Sequence, residues 1–129
     1  MAYNNAVTNT AGQLSAITAT FAYTDTTVTI GTLPANAQIV DVYIDVTTAF
    51  NAAGTDTVTV GKTGSAAAYV TSTSVASAGR ADVSTTGVYS AWANVGSNDV
   101  DYATLTYAYT STAPTAGAGR VTIVYKSYA

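Results

Sequence analysis

The sequence predicts an all-β protein, an antiparallel β-sandwich or barrel, and three observations carry that expectation. Apolar residues recur at every second position in several separate runs, the period of a pleated strand with one face inward. Short segments rich in Gly, Asn, Asp and Ser fall between those runs, as turns do in a sandwich. Thr, Ala, Val and Tyr dominate the composition while Glu, Lys, Arg, Leu and Met are scarce, which favours half-buried sheet surfaces over helices.

Taken in chain order, MAYNNAVTNTAGQL carries little apolar pattern, so residues 1–14 are expected to form a flexible arm that orders on binding, with one sandwich domain over residues 15–129. The first strand runs from Ser15 to Tyr23 and sets Ile17, Ala19, Phe21 and Tyr23 against Thr18, Thr20 and Ala22. Thr27 to Gly31 follows, with Val28 and Ile30 on one side, until Pro34 breaks the run. In QIVDVYIDVTTAFN, Val40, Val42, Ile44 and Val46 are expected inside, and Asp41, Tyr43, Asp45 and Thr47 outside. The loop FNAAGTD then leads to Thr57 to Gly61, and these two runs are expected to pair as a hairpin. Lys62 to Ser77 is small and polar and reads as loop with some strand, its triple alanine too short to hold a helix alone.

Val83, Val88, Tyr89 and Trp92 are expected to anchor the next stretch to the core. Val100 to Tyr109 alternates Ala103, Leu105, Tyr107 and Tyr109 against Tyr102, Thr104, Thr106 and Ala108. Arg120 to Tyr128 alternates Val121, Ile123 and Tyr125 against Thr122, Val124 and Lys126, and STAPTAGAG joins the two as a long-looped hairpin. SAGRADV at Ser77 to Val83 echoes GAGRVTI at Gly117 to Ile123, each a Gly turn whose Arg starts a strand.

Composition excludes much chemistry. The 129 residues include no Cys, His or Glu, which removes thiol nucleophiles, disulfides, the usual zinc and iron ligand sets and serine-histidine hydrolysis. With a charged fraction of 9% and a net charge of −3, the chain has no basic surface for nucleic acid. Its start has neither the basic end nor the apolar core of a secretory signal, and no uncharged apolar run approaches membrane-spanning length, so synthesis and retention in a cytoplasm are expected.

Asp41 and Asp45 are the first candidate pair. Four residues apart on a strand, they lie roughly 13 Å from each other, beyond the roughly 5–10 Å of a glycosidase pair. They are therefore expected on a solvated or partner-binding face, where charge also discourages stray strand pairing. Asn98, Asp99 and Asp101 in GSNDVD offer oxygens to a hard cation, yet without Glu they read first as a turn and a strand start. GKTGS and AGAGR lack the spacing of a phosphate loop. No cofactor or metal is expected. Lys62, Arg80, Arg120 and Lys126 are the only cations, and the 10 Tyr include several on outward faces. Tyr offers large contact area with a polar tip, so Tyr3, Tyr43 and Tyr102, with Asp41, Asp45, Arg80 and Arg120, are the candidate partner-binding residues.

The runs VDVYIDVTTAFNAAGTDTVTVG, SAGR and TAPTAGAGRVTIVY resemble small Thr/Ala/Gly-rich virion proteins of tailed bacteriophages, of the capsid decoration (cement) or minor head protein type. That resemblance covers roughly the last two-thirds of the chain and brings no catalytic residue. It implies a jelly-roll-like module, often a homotrimer, on the outer surface of the capsid, clamping neighbouring subunits of the major capsid protein. The other reading from the residues is a fibre-tip or adhesin module for a host glycan or protein, with loops at Lys62 to Ser77 and Ser111 to Gly119 as the tip and Trp92 stacking on a sugar. An enzyme survives only as a metal-dependent site at Asp99 and Asp101.

Overall fold

The computed structural model describes residues 14–34, 37–81 and 101–127. Among these the chain forms eight strands and no helix: β1 (Leu14–Ala22), β2 (Thr27–Leu33), β3 (Ala37–Thr48), β4 (Asp56–Lys62), β5 (Ser65–Ser74), β6 (Gly79–Arg80), β7 (Asp101–Tyr109) and β8 (Ala118–Ser127). Two four-stranded antiparallel sheets result, ordered β1-β8-β3-β6 and β2-β7-β4-β5. That interleaving of early and late strands is the jelly-roll arrangement of two packed sheets.

The core lies between the sheets, built from the inward positions of each strand. Val42, Ile44 and Val46 of β3 with Val121 and Ile123 of β8 face Val58 and Val60 of β4 with Ala103 and Leu105 of β7. Each large side chain so buried contributes about 1.5–3 kcal/mol, so the alternation of these central strands drives the sandwich shut.

Three expectations are corrected by the register. Val40 was placed inside, but β3 carries a bulge between Ile39 and Asp41 opposite Tyr125 and Val124. The extra residue resets the parity, so Ile39 is buried and Val40 is 37% exposed. Neither expected hairpin forms, because β3 and β4 lie in different sheets, as do β7 and β8. Phe50 explains the first crossing: it is buried between the layers, its ring 5.7 Å from that of Phe21 and 4.8 Å from that of Tyr107. The two crossings then run together, with Gly54 N–H donating to Thr110 O and Thr110 N–H to Thr55 O. Asn51 Oδ1 accepts the backbone N–H groups of Thr115 and Ala116 at 2.8 and 3.0 Å.

The third correction concerns Lys62 to Ser77, most of which is β5, paired along β4 with two register irregularities. Of the two loops in the fibre-tip reading, the first is mostly strand, while 111–117 remains a loop, bonded to the 51–55 crossing. Trp92, Val83, Val88 and Tyr89 lie outside the described residues, as do residues 1–13; Leu14 is the first residue of β1.

Candidate functional site

The outer face of the β1-β8-β3-β6 sheet gathers most of the candidate residues. On β3 the pleat turns Asp41, Tyr43 and Asp45 to one side, while Val42, Ile44 and Val46 go into the core. Asp45 lies opposite Arg120 of β8 on one flank and opposite Arg80 of β6 on the other. Val46 likewise lies between Gly79 and Gly119. The echo between SAGR and GAGR therefore has a structural reading: both copies flank β3 at one register, each setting its Gly beside Val46 and its Arg beside Asp45.

Arg80 makes the direct contact with Asp45. Its Nε donates to Asp45 Oδ1 at 2.7 Å and its Nη2 to Oδ2 at 3.2 Å, the two-pronged geometry that suits a carboxylate. The guanidinium carbon stands 4.4 Å from the centre of the Tyr43 ring, within cation–π range. Backbone adds to this, since Ala81 N–H donates to Ile44 O at 2.8 Å. The bond from Arg80 holds the Asp45 carboxyl below its ordinary value, with the charges of Arg80 and Arg120 adding to it. Asp45 in turn holds the Arg80 guanidinium above its usual range. Tyr43 is raised as well, chiefly through a hydrogen bond to Asp41, whose Oδ1 also accepts Val42 N–H at 2.8 Å.

The next cross-strand row is Thr18, Thr122 and Tyr43, with the two threonine hydroxyls 3.2 Å apart. Beyond it comes Ala16, Val124 and Asp41. The last row sets Lys126 between Leu14 and Gln38, so the face carries charge toward both ends with hydroxyls between. Its two carboxylates are separated by Tyr43 and each is bonded to a neighbouring group.

One described candidate falls elsewhere. Tyr102 is 57% exposed on β7, in the opposite sheet, beside Thr32 of β2. Tyr3 and Asp99 lie outside the described residues, and Asp101 is the first residue of β7. Among the described residues no three acidic side chains gather as a metal site would require. A cleft beside the β1–β2 turn is lined by Tyr23, Asp25 and Tyr109; one Asp25 oxygen accepts Ala22 N–H at 2.9 Å, which fixes the turn.

No family model matches this chain, and no curated protein matches it. Two solved phage capsids contain chains of similar fold. A chain of the cyanophage Pam1 capsid asymmetric unit superposes with a TM-score of 0.67 at 21% identity, over 98% of this chain and 94% of that one. A chain from the acid-stable capsid of Helicobacter pylori bacteriophage KHP30 gives a TM-score of 0.60 at 13% identity, over 92% of this chain and 91% of that one. At such identities the likeness is one of fold, and it runs through the length of all three chains.

Sequence reasoning missed Asp56, which it left in the FNAAGTD loop. Asp56 is the first residue of β4, is 2% exposed, and accepts the Tyr107 hydroxyl on Oδ1 and Ala52 N–H on Oδ2 at 3.0 Å. Its phenol partner stands 51 residues away, and no local pattern announces such a pair. Burial, reinforced by the Asp56 bond, raises the Tyr107 phenol well beyond its ordinary range.

The Asp45 clamp makes a pH prediction. A carboxyl lowered on folding contributes its full stability above the unfolded value of 3.8, and that contribution is lost as pH falls through the lower folded value. Exchange of the Ala81 amide is therefore expected to accelerate in that acidic window, and in Arg80→Ala at neutral pH. The global unfolding midpoint is expected to change little, because the pair is exposed and screened. Amide exchange followed by NMR checks both.

Proposed function

We propose that this protein is a structural, non-enzymatic bacteriophage virion component: a capsid decoration (cement) protein. It binds the outside of the head as a homotrimer and stabilises contacts between neighbouring major capsid subunits. The observation that carries this reading is Arg80 bound through two nitrogens to Asp45 and stacked over the Tyr43 ring. Arg and Tyr are the residues that dominate protein interfaces, and here Arg80 is ordered before any partner arrives, which reduces the entropy lost on binding. The jelly-roll fold shared along its length with chains of two phage capsids supports the virion setting; because such folds host many functions, that support is analogy. The outer face of the β3 sheet is the side we assign to the capsid, and Tyr102 on the opposite sheet is assigned to contacts between copies.

The test is addition of purified protein to expanded heads that lack it. Saturation at hundreds of copies per particle, with a higher melting temperature of the shell, is the expected result. Arg80→Ala and Tyr43→Ala are each expected to weaken binding about tenfold while leaving the protein folded. Binding in a few copies at a vertex or tail would favour a receptor-binding role instead. Binding that leaves the heat tolerance of the shell unchanged would overturn the cement role.

A further inference from the structure

A sheet edge is a row of unpaired backbone donors and acceptors, and proteins guard such edges with charge, Pro, bulges or shortness. Among the described residues the two sheets end in four edge strands, and three are guarded or interrupted. β2 carries a register shift between Thr29 and Gly31. β5 has irregularities between the partners of Val58 and Val60 and again before Lys62. β6 is two residues long and ends in Arg80. β1 differs: it pairs with β8 through nine consecutive residues, from Leu14↔Lys126 to Ala22↔Ala118, with no shift. It holds no charge and no Pro, and its outer face shows Ala16 and a 60% exposed Leu14.

We infer that β1 is an interface for a second copy of this chain, whose own β1 adds antiparallel to it across a twofold axis at Thr18. The side chains argue for this occupant and this register. With Thr18 facing its own copy, Leu14 meets Ala22 and Ile17 meets Ala19, while Ala16 meets Thr20 and Ser15 meets Phe21. Each large apolar residue thus falls beside a small one. Directly opposed residues of an antiparallel pair point to one face, so Ile17 and Ala19 from both copies extend the core side, and Leu14 and Ala22 close the outer side. The joined sheet would run β6-β3-β8-β1 through its mirror order in the partner. Such a contact is isologous and closes pairs. It does not depend on the virion reading; in a trimer it would join neighbouring trimers.

Because the chain has no Cys, introduced thiols report on this contact cleanly. In the register proposed, opposed Cα atoms lie about 4.5–5.5 Å apart, within the span of a disulfide. Thr18→Cys is expected to form a covalent dimer under mild oxidation at least tenfold faster than Thr63→Cys, which sits in the exposed turn after β4. Ala16→Cys and Thr20→Cys are each expected to stay monomeric on a denaturing gel when oxidised alone, because like positions are then four residues out of step, roughly 13 Å. Mixed together, they are expected to cross-link. Thr18→Lys, which sets two ammonium groups on the axis, is expected to weaken association at least tenfold by sedimentation while retaining the β-sheet spectrum. Equal rates for Thr18→Cys and Thr63→Cys, self-linking of Ala16→Cys as fast as Thr18→Cys, or association unaffected by Thr18→Lys would each overturn the proposal.

Discussion

Replacing Asp56 with alanine is expected to lower the unfolding free energy by about 3 kcal/mol. The change removes the acceptor for a buried Tyr107 hydroxyl and for Ala52 N–H together. A hydrogen bond to a charged group contributes roughly 1.5–3 kcal/mol, and a buried polar group left unpaired costs about 1–3 kcal/mol. Tyr107 also carries packing, since its ring lies against Phe50, the residue that steers the chain from one sheet to the other. Loss of the anchor therefore reaches the paired crossings at 51–55 and 110–117. Asp56→Asn is expected to cost less, because its amide oxygen keeps the Ala52 bond while its NH2 donates to the Tyr107 oxygen. Urea unfolding with an unchanged m-value would separate this loss from a change in compactness. The Tyr107 phenol adds a test in alkali. A group raised on folding stabilises fully below its unfolded value of 10.0 and loses that contribution as pH rises through the higher folded value. Stability should fall above pH 10 in the native chain, and less steeply in Tyr107→Phe.

What the sequence revealed, and what it hid, follows from how far each signal reaches along the chain. The inward faces of β7 and β8 were legible because Ala103, Leu105 and Tyr107, and then Val121 and Ile123, hold a strict period of two and are buried accordingly. β3 was legible only past its bulge: Val42, Ile44 and Val46 obey the pattern, and Val40 breaks it, since one extra residue reverses the side on which everything before it falls. Pairing was hidden for another reason. A run of alternating residues fixes which face is inward without naming its neighbour, so β3 with β4, and β7 with β8, looked like hairpins. The candidate site was largely visible as residue types, with Asp41, Tyr43, Asp45, Arg80 and Arg120 on one face. That Arg80 and Arg120 would stand beside Asp45 on the two neighbouring strands was written only as the repeated Gly-Arg, which has no meaning until β3 lies between the copies.

The second large effect is expected at Gly61, and it also explains why β5 did not read as a strand. Between Val60↔Val70 and Lys62↔Ser65, two steps on β4 are matched by five on β5. The surplus residues interrupt the ladder, and the consecutive Tyr69 and Val70 are both buried, so the alternation disappears. They also bring the β5 backbone onto Gly61: a Cβ there would stand 2.1 Å from Ser65 O and 2.5 Å from the Ala66 carbonyl carbon. Backbone cannot swing aside as a flexible side chain can, so Gly61→Ala must open the β4–β5 ladder or displace β4 from the core positions held by Val58 and Val60. A loss of about 3–5 kcal/mol is expected, at the upper end of single substitutions. Gly64→Ala, three residues on, provides the contrast. Its Cβ would meet nothing within 4 Å and its φ is +85°, so only the left-handed backbone opposes it, at roughly 1–2 kcal/mol. Thermal melts of the two variants, with limited proteolysis across 62–68, check this. If both lose the same small amount and β5 stays protected, close approach of β5 to Gly61 is not what the position requires.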